Sequence, residues 1–528
     1  MTEEYEYIIV GGGTAGSVLA SRLSEQPDVR VLVLEAGGDF IPADVDDSAA
    51  WFRLLGSQID WGYTSVPQPG LGGRSTYEPR GRLPGGSSNL YIMMHVRGHE
   101  SDFDNWAYQG AAGWAYSDLA PYFAKLEAQE DRTDARIGTG GPQAVTNAGA
   151  HGPNPMSQTF LDACAELGYA RTPDFNGPDM LGAGWHHIDV KDGRRQGALV
   201  SYLEPALARP NLTLRTQAQA TGLTWKDTRC TGVTYRQRPA SSAPGPGRRL
   251  AAAHPAGPGD HTAAATREVV ICGGAIESPK LLMLSGIGPA GQLGALGIDV
   301  RADLPGVGEN FHNHVLVGII AQTRKPVPPG RQNLSEAALF TMSQPGLIAP
   351  DIQIGFVHVP FDIVVGQQHP NAVSLLPGIV RPQSRGWVRL ADASPMSAPL
   401  VHPNYLGDSA DTDRLVDAVR LSREIFATPA FSAVLEGELM PGADVTDQDD
   451  LVAFVRNRAD TYHHQAGSCR MGIDDLAVVD PRLRVRGVEG LRVADASVMP
   501  AVPSGNCHTA IVAIAERAAD LIKESSRG

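Results

Sequence analysis

The chain has few cysteines, no long apolar run and a deficit of positive charge. Its 528 residues hold five cysteines, an odd number without a Cys-x-x-Cys pair, which argues against a disulfide framework and against a zinc site. No run of about 20 apolar residues occurs, so no segment is expected to span a membrane. Lys and Arg number 44 against 58 Asp and Glu, and the net charge of −14 disfavours nucleic acid as a partner. We therefore expect a globular protein that acts on small molecules and has no metal site.

The N-terminal segment also lacks the basic residues of a secretory signal. Glu3, Glu4 and Glu6 stand where such a signal needs positive charge, and an apolar run follows at once. Scattered, unpaired cysteines fit a reducing compartment, so a cytoplasmic location is predicted. Because domains typically hold about 100–200 residues, two or more domains are expected.

The first forty residues have the order strand, glycine loop, helix, strand, acidic residue. These parts are residues 5–10, 11–16 (GGGTAG), 17–23, 29–34 and Glu35. Gly11 permits a tight turn, Gly13 lets the backbone approach a pyrophosphate, and Gly16 allows close packing of helix on strand. The free N–H groups of the helix start favour phosphate, and Glu35 is placed to accept a hydrogen bond from a ribose 2′-OH. The order predicts a dinucleotide site that disfavours NADP, without separating FAD from NAD.

Three further segments carry a family resemblance. They are 81–98 (GRLPGGSSNLYIMMHVRG), 273–289 (GGAIESPKLLMLSGIGP) and the pair 462–472 (YHHQAGSCRMG) with 491–510 (LRVADASVMPAVPSGNCHTA). Together with the glycine loop they resemble the glucose–methanol–choline (GMC) oxidoreductase family along nearly the whole chain. The resemblance implies an FAD-dependent enzyme that oxidises alcohols.

The same resemblance implies an α/β fold in which two domains are interleaved. A Rossmann-like FAD-binding domain is expected beside an α+β substrate domain built on an antiparallel sheet. The expected ranges are 1–44, 76–100, 195–315 and 455–528 for the FAD-binding domain, 101–194 and 316–454 for the substrate domain, and 45–75 for a connection that covers the cofactor.

Contacts to FAD are expected from residues that match the family's motifs. They are Gly11, Gly13, Thr14, Ala15, Gly16, Glu35, Ala36, Leu83, Gly85, Gly86, Asn89, Ala220, Gly274, Asp495, Ala496 and Asn506. Some relatives attach FAD through a histidine at the position of Leu90, so dissociable, non-covalent FAD is predicted here. Tyr91 stands where the family commonly has Asn, and Asn313 where Asp is usual, which leaves these contacts open.

Alcohol oxidation by a flavin needs a base for the hydroxyl proton and a path for hydride to flavin N5. A neutral imidazole suits the first role, because its unperturbed pKa is about 6.5. The family pattern His-x-x-Gly-Ser/Thr is met by HQAGS, so His464 is the predicted base and His463 a pocket residue. The predicted partner is Asn506, ten residues before Glu516; His508, two residues further on, is the alternative.

The substrate is only weakly encoded. Phe340 and Phe356 are predicted to line the substrate pocket with His463. The resemblance is nearest to bacterial aryl-alcohol and hydroxymethylfurfural oxidases, which implies a primary, aromatic or furanic alcohol and reoxidation by O2 to give H2O2. A choline-type dehydrogenase with another electron acceptor, or a hydroxynitrile lyase, are the alternatives. The proline-containing stretch 323–350 is either an access lid or a surface loop, and the Ala/Pro/Gly-rich stretch 240–265 is expected to leave the site as a mobile excursion.

Overall fold

Two β-sheets, each with its own apolar core, organise the protein. The computed structural model describes residues 3–131, 133–239, 245–250, 257–362, 369 and 371–526. One core surrounds the sheet that contains the N-terminal strand, and the other surrounds a sheet formed mainly by the second half of the chain. The α/β architecture with a second, antiparallel sheet agrees with the expectation from the sequence.

The first sheet is the Rossmann-like one. In spatial order its strands are Leu212–Arg215, Val31–Leu34, Glu3–Val10, Gly259–Ile271, Arg229–Gln237 and Ala218–Lys226, with Leu491–Val493 beside Gly259–Ile271. Its first four strands run parallel, as does Leu491–Val493, whereas the last two join antiparallel. Parallel strands carry their loops at one edge, so the glycine loop after Val10 and the turn after Ile271 meet there.

The second sheet is antiparallel and lies over the edge of the first sheet that carries the glycine loop. In spatial order its strands are Leu435–Met440, Ile319–Thr323, Ala372–Ile379, Ile352–Val357, Ala337–Thr341 and Gly182–Trp185. Val315–Leu316 pairs with Ala372–Ile379 and also with Asp460–Thr461. Asp460–Thr461 therefore belongs to this sheet, although it lies in the stretch 455–528, which is predicted for the cofactor domain. The domain boundaries otherwise stay predictions.

Helices cover both sheets. Their bounds are Thr14–Leu23, Ala43–Asp46, Glu100–Tyr108, Tyr116–Leu126, Pro155–Glu166, Glu204–Ala206, Gly274–Leu284, Ala290–Ala295, Ser409–Ala427, Pro429–Ser432, Gln448–Arg458 and His508–Ser525. The first and last of them pack against each other, which places the start of the last helix, at Ile511, beside Thr14 and the glycine loop. None of the helices in the described ranges is long and apolar enough to cross a membrane. The cytoplasmic location stays a prediction.

Two stretches of low sequence complexity differ from expectation. Residues 259–265, within the predicted excursion, lie in the long strand Gly259–Ile271, because this strand pairs with Arg229–Gln237 before it enters the parallel region. Residues 240–244 and 251–256 of the excursion lie outside the described residues. The stretch 323–350 includes the buried strand Ala337–Thr341, which pairs on both sides, so at least this part is neither lid nor loop.

Candidate active site

The glycine loop brings backbone against backbone. Gly11 has a φ of +102°. A Cβ placed on Gly16 would lie 1.9 Å from the Gly11 carbonyl oxygen, and one on Gly86 would lie 2.7 Å from the Gly13 Cα. The Gly85 N–H donates to the Gly12 carbonyl at 2.7 Å. The loop at 85–86 therefore lies directly on the first loop, and the two form a cradle whose close backbone contacts leave no room for a Cβ at Gly16 or Gly86.

A cleft, which we call the glycine cleft, opens from this cradle along the edge of the parallel sheet. It has about 1070 Å³ of empty space, open solvent at its mouth included. The predicted cofactor residues that line it are Gly11, Gly13, Thr14, Ala15, Glu35, Ala36, Gly86, Ala220, Gly274, Asp495 and Ala496. They come from six separate stretches of the chain, so the fold assembles most of the predicted FAD contacts in one place.

Five predicted cofactor residues do not line the glycine cleft: Asn506, which lines an adjoining cavity, and Gly16, Leu83, Gly85 and Asn89, which contact protein. Gly16 packs beneath Gly11, and Leu83 is fully buried in the core. Asn89 donates from Nδ2 to the carbonyls of Pro84 and Gly86. Gly85 lies against that same amide, with a φ of +92°. These residues shape the two loops, because their contacts are made with protein and leave no face toward the cleft.

Two acidic side chains tie the walls of the glycine cleft together. Glu35 accepts hydrogen bonds from the Gly12 and Gly37 N–H groups at 2.9 and 2.7 Å. Burial raises the pKa of Glu35, and these two backbone bonds oppose the rise. Asp495 accepts from the Gly274 N–H at 2.8 Å, which joins the C-terminal segment to the turn after Ile271. Glu35 thus still borders the cleft while it orders the loop for a dinucleotide.

The residues present fit FAD. A Cβ on Gly274, in the wall of the cleft, would meet no protein atom within 4 Å and would stand in the open cleft. Thr14 and Ala15, at the N-terminus of the helix Thr14–Leu23, also line the cleft, where free N–H groups favour phosphate. Trp61, Tyr63, Arg80 and Gln465 also line the cleft and were missed by sequence reasoning. Arg80 adjoins a recognised motif and Gln465 lies within one, so the motifs could have found them. Trp61 and Tyr63 lie in the stretch 45–75, which is expected to cover the cofactor, but no motif marks them.

A second cavity, the inner pocket, adjoins the glycine cleft. Thr14, Arg80, Ser87 and Ile511 border both cavities. The other lining residues of the inner pocket are Trp51, Leu55, Pro79, Ser88, Leu90, Tyr91, Ile92, Met94, Leu316, Phe361, Leu376, Tyr462, His463, His464, Asn506, Cys507 and His508. Aliphatic and aromatic side chains predominate, and among the described residues no Asp or Glu lines it. It therefore suits a neutral, flat molecule better than a cation.

The predicted catalytic pair meets at the wall of the inner pocket. His464 Nε2 lies 3.3 Å from Asn506 Nδ2, and both residues are buried. Gln353 donates from Nε2 to Asn506 Oδ1 at 3.4 Å, which points the Asn506 amide nitrogen toward His464. Burial is the main cause that lowers the pKa of His464 well below its usual value, and the neighbouring His314, His463 and Arg80 add to the effect. His464 is therefore a neutral imidazole at physiological pH.

His314 contacts the ring nitrogen of His464 that faces away from Asn506. The two Nδ1 atoms are 2.9 Å apart, so one ring must donate to the other. Burial lowers the pKa of His314 to about 3, against the opposing effect of the Val380 and Pro503 carbonyls, so this ring is neutral and carries a single N–H. A proton on His314 Nε2 leaves its Nδ1 as acceptor of the His464 Nδ1–H. His464 Nε2 then keeps its lone pair toward the pocket, as a general base requires.

His463 lines the inner pocket in a left-handed backbone conformation. Its φ is +67°, which is uncommon for a residue other than glycine. The Arg80 guanidinium donates to the His463 carbonyl at 2.8 Å, and the His463 N–H donates to Thr461 Oγ1 at 2.9 Å. Burial and Arg80 lower the pKa of His463 to about 3. These bonds hold the strained turn that presents His464.

The structure places Phe340 and Phe356 elsewhere. Both are fully buried; Phe340 packs on Phe175, and Phe356 stacks on Phe160 at 5.5 Å. Their assignment to the pocket is wrong, because helices and the neighbouring cluster cover the faces on which they lie. Phe361, which follows the same strand region, does line the inner pocket.

Tyr91 and His508, whose roles the sequence left open, share one wall of the inner pocket. Their ring centroids are 4.6 Å apart. Tyr91 donates its hydroxyl to Asp189 at 2.8 Å, and Asp189 in turn contacts His95 Nδ1 at 2.8 Å. Burial lowers the pKa of His508 to about 4, so this residue is also neutral. The described residues contain no group of three or more His, Cys, Asp or Glu side chains arranged to hold a metal.

Comparisons with known proteins agree with this geometry. Profiles described as GMC oxidoreductase match residues 5–316 and 382–515. The mitochondrial choline dehydrogenase of Mus musculus is 38% identical over 99% of this chain and 90% of its own, and the oxygen-dependent choline dehydrogenase of Brucella ovis 37% over 98% and 95%. The crystal structure of pyridoxine 4-oxidase from Mesorbium loti superposes with a TM-score of 0.89 at 35% identity, covering 98% of each chain.

Proposed function

Because the chain belongs to the GMC oxidoreductase family, which binds FAD and acts on CH–OH donors, we propose that it oxidises primary aromatic or furanic alcohols to aldehydes. One observation supports this most. The neutral imidazole of His464 and the amide of Asn506 face each other at 3.3 Å, on the wall of an apolar pocket that adjoins the glycine cleft.

The residues of this chain divide the reaction between them. Bound FAD supplies the acceptor for the hydride that leaves the α-carbon of the alcohol. His464 Nε2 takes the hydroxyl proton, and the Asn506 amide N–H donates to the alcohol oxygen as negative charge develops there. Loss of one proton and one hydride converts the CH2–OH group to an aldehyde, and the apolar lining keeps water from the base.

The composition of the inner pocket supports an aromatic substrate. Trp51, Tyr91, Phe361 and Tyr462 offer rings for packing on a planar ring, and the one charged side chain of the described lining is the cation Arg80. The structurally similar pyridoxine 4-oxidase is named for a substrate that is itself an aromatic ring with hydroxymethyl groups.

Choline-type dehydrogenation is the second candidate, since the mouse and Brucella relatives are named for choline. Aromatic rings can bind a quaternary ammonium group by cation–π contacts. However, a cation gains most where a carboxylate faces it, and the described lining has Arg80 instead. The lining therefore favours the aromatic alcohol.

A stopped-flow screen of the FAD-bound enzyme tests the proposal. Benzyl alcohol, hydroxymethylfurfural and choline would be mixed with enzyme without oxygen, and the decrease of flavin absorbance followed. We expect fast reduction by the aromatic and furanic alcohols and slow or no reduction by choline, with His464→Ala as the flavin-retaining control. Faster reduction by choline would favour the second candidate, and no reduction by any alcohol would point to a lyase.

The electron acceptor is tested separately. We propose that O2 reoxidises the flavin, so aerobic turnover should release one H2O2 for each aldehyde. Measured peroxide far below aldehyde, with turnover restored by an artificial quinone or dye, would assign a dehydrogenase instead.

A further inference from the structure

A carboxyl group outside the predicted machinery lies behind the catalytic segment. Glu78, in the short strand Tyr77–Glu78, is fully buried. Within the described residues no Lys, Arg or His forms an ion pair with it. Its Oε1 accepts hydrogen bonds from Thr76 Oγ1 at 2.8 Å and from the Tyr405 hydroxyl at 2.9 Å, and its Oε2 accepts one from Gln465 Nε2. All three donors are neutral, so hydrogen bonds, and not ion pairs, hold the Glu78 carboxyl group in position.

One branch of this network leads to the backbone of His464. Asn313 Nδ2 donates to the Tyr405 hydroxyl oxygen and, at 2.7 Å, to Thr461 Oγ1. Asn313 Oδ1 accepts the His464 N–H at 2.8 Å. The catalytic residue is thus joined to Glu78 through two side chains that are far apart in sequence.

The other branch leads to the glycine cleft. Gln465, next to His464, turns its amide nitrogen toward Glu78, whereas its Oε1 accepts no hydrogen bond from the described residues. Gln465 is 1% exposed and lines the cleft. Its free oxygen therefore remains available to a donor on the cofactor side.

The charge state of Glu78 sets the direction of both branches. An ionised carboxylate can only accept, so the Tyr405 hydroxyl must donate to it and Asn313 must present nitrogen to Tyr405. The Asn313 oxygen is then left for the His464 N–H. When Glu78 is protonated, one of its oxygens becomes a donor and no longer accepts a hydrogen bond from Tyr405 or Gln465. The side-chain amide of Gln465 can then rotate so that its oxygen and nitrogen exchange places.

We propose that Glu78 is a positioning residue for alcohol oxidation: its ionised form holds the His464–Gln465 segment in the working orientation, and its protonation releases that segment. This inference rests on the proposed function for the identity of the reaction. The hydrogen-bonded path itself does not depend on the substrate.

The electrostatic surroundings place this change near neutral pH. Burial raises the pKa of Glu78 to about 7, against the lowering effect of bonds from Gln465, Thr76 and Tyr405; the nearby carboxyl of Asp460 adds to the rise. The Arg80 guanidinium is the cation that faces this region. The working form is therefore populated above about pH 7 and is lost as pH falls through this value.

Glu78→Gln in the FAD-bound enzyme is the main test. This variant keeps the shape but presents an amide nitrogen to one of its donors. We expect kcat to fall about 10- to 100-fold, the effect of a small misplacement of a catalytic group, with KM nearly unchanged. The ionisation near pH 7 in the kcat profile should disappear. The matched control is Glu336→Gln, a fully buried carboxylate bonded to Ser157 and Asn154, which should leave the profile unmoved.

Tyr405→Phe provides a second variant in case Glu78→Gln folds poorly. It cuts the path to Asn313 while the carboxylate stays. We expect a similar loss of kcat, and a double variant no worse than the single ones, because both act on one path. Unchanged kcat and pH profile per bound flavin in both variants, even with a lower Tm, would overturn the inference.

A measurement independent of alcohol separates the two proposals. A raised pKa means that Glu78 contributes stability that is present below the unfolded value of 4.5 and is lost as pH rises through about 7. The wild-type Tm should therefore rise relative to Glu78→Gln between pH 8 and pH 6, and flavin absorbance should titrate over the same window. If this titration is observed but no alcohol is oxidised, the proposed function alone is rejected. If alcohol is oxidised but the titration is absent, the role of Glu78 is rejected.

Discussion

His464 Nε2 and Asn506 Nδ2 lie 3.3 Å apart, and each is oriented by a second buried residue. His314 contacts the far nitrogen of the imidazole, and Gln353 contacts the far oxygen of the amide. This arrangement supports the proposal that His464 and Asn506 together hold and deprotonate an alcohol oxygen.

The His464→Ala variant should retain FAD and lose turnover. Removal of a general base costs about 10²–10⁴-fold, so kcat should fall by at least this factor while the flavin-to-protein absorbance ratio stays constant. His463→Ala is the matched comparison, because the neighbouring imidazole is predicted to line the pocket only. A larger loss in His463→Ala than in His464→Ala would reverse the assignment.

The Asn506→Ala variant should slow flavin reduction. Loss of one donor to a developing oxyanion costs about 10²–10³-fold. The rate of anaerobic reduction at saturating alcohol measures this step directly. If flavin content drops and the reduction rate of the remaining holoenzyme is normal, Asn506 is structural.

The His314→Phe variant should weaken the base without removing it. The phenyl ring cannot accept the Nδ1–H of His464, so the tautomer with a free Nε2 lone pair loses its support. We expect kcat to fall about 10- to 100-fold with little change in KM. Thermal unfolding serves as the check on packing, and a normal kcat would show that His314 does not set the tautomer.

The Gly16→Ala variant should impair FAD binding. Its Cβ would lie 1.9 Å from the Gly11 carbonyl oxygen, so the loop must move. We expect protein with little bound flavin and a lower Tm. Gly291→Ala is the control, because a Cβ there meets nothing within 4 Å and should leave flavin content unaltered. Full flavin occupancy in Gly16→Ala would contradict the cradle.

The Glu127→Gln variant should destabilise the protein. Glu127 is fully buried and paired with Arg97 and His95; burial opposes its ionisation, but these partners lower its pKa to about 2. The variant leaves Arg97 buried without its partner, at a cost of about 3–5 kcal/mol in the free energy of unfolding. Urea denaturation measures this, with Glu130→Gln, from an exposed pair with His151, expected to change it by less than about 1 kcal/mol.

The pKa shifts of Glu127 and His95 also predict how the stability of the protein changes with pH. The contribution of Glu127 is present above about pH 4.5 and is lost as pH falls toward 2. His95, whose pKa is raised to about 9 because Asp189 and Glu127 outweigh burial, contributes below about 6.5 and loses its effect as pH rises through 9. The stabilisation by Glu127 and His95 should therefore be greatest between about pH 4.5 and pH 6.5. A Tm that is flat from pH 3 to 9 would contradict it.

The short-range parts of the site could be predicted from sequence, because each has a local steric cause. The glycine loop needs no Cβ at Gly11 or Gly16, and the assignment of His464 depends on Gly467, which has a φ of +90° and no space for a side chain beside His312. Such steric requirements place glycine at fixed spacings in the sequence, where a motif can be recognised.

The remaining parts depend on which surfaces meet. Phe340 and Phe356 lie on strands that are covered on both faces, so alternation could not show which side borders a cavity. Arg80 at the junction of the two cavities, and the path from Glu78 through Tyr405 and Asn313, join segments that are hundreds of residues apart. The sequence alone determined the dinucleotide loop and the family, and it singled out the histidine that we propose as the base. Only tertiary packing decided which buried groups orient that histidine and what the pocket excludes, because burial and hydrogen-bond direction arise when distant segments come together.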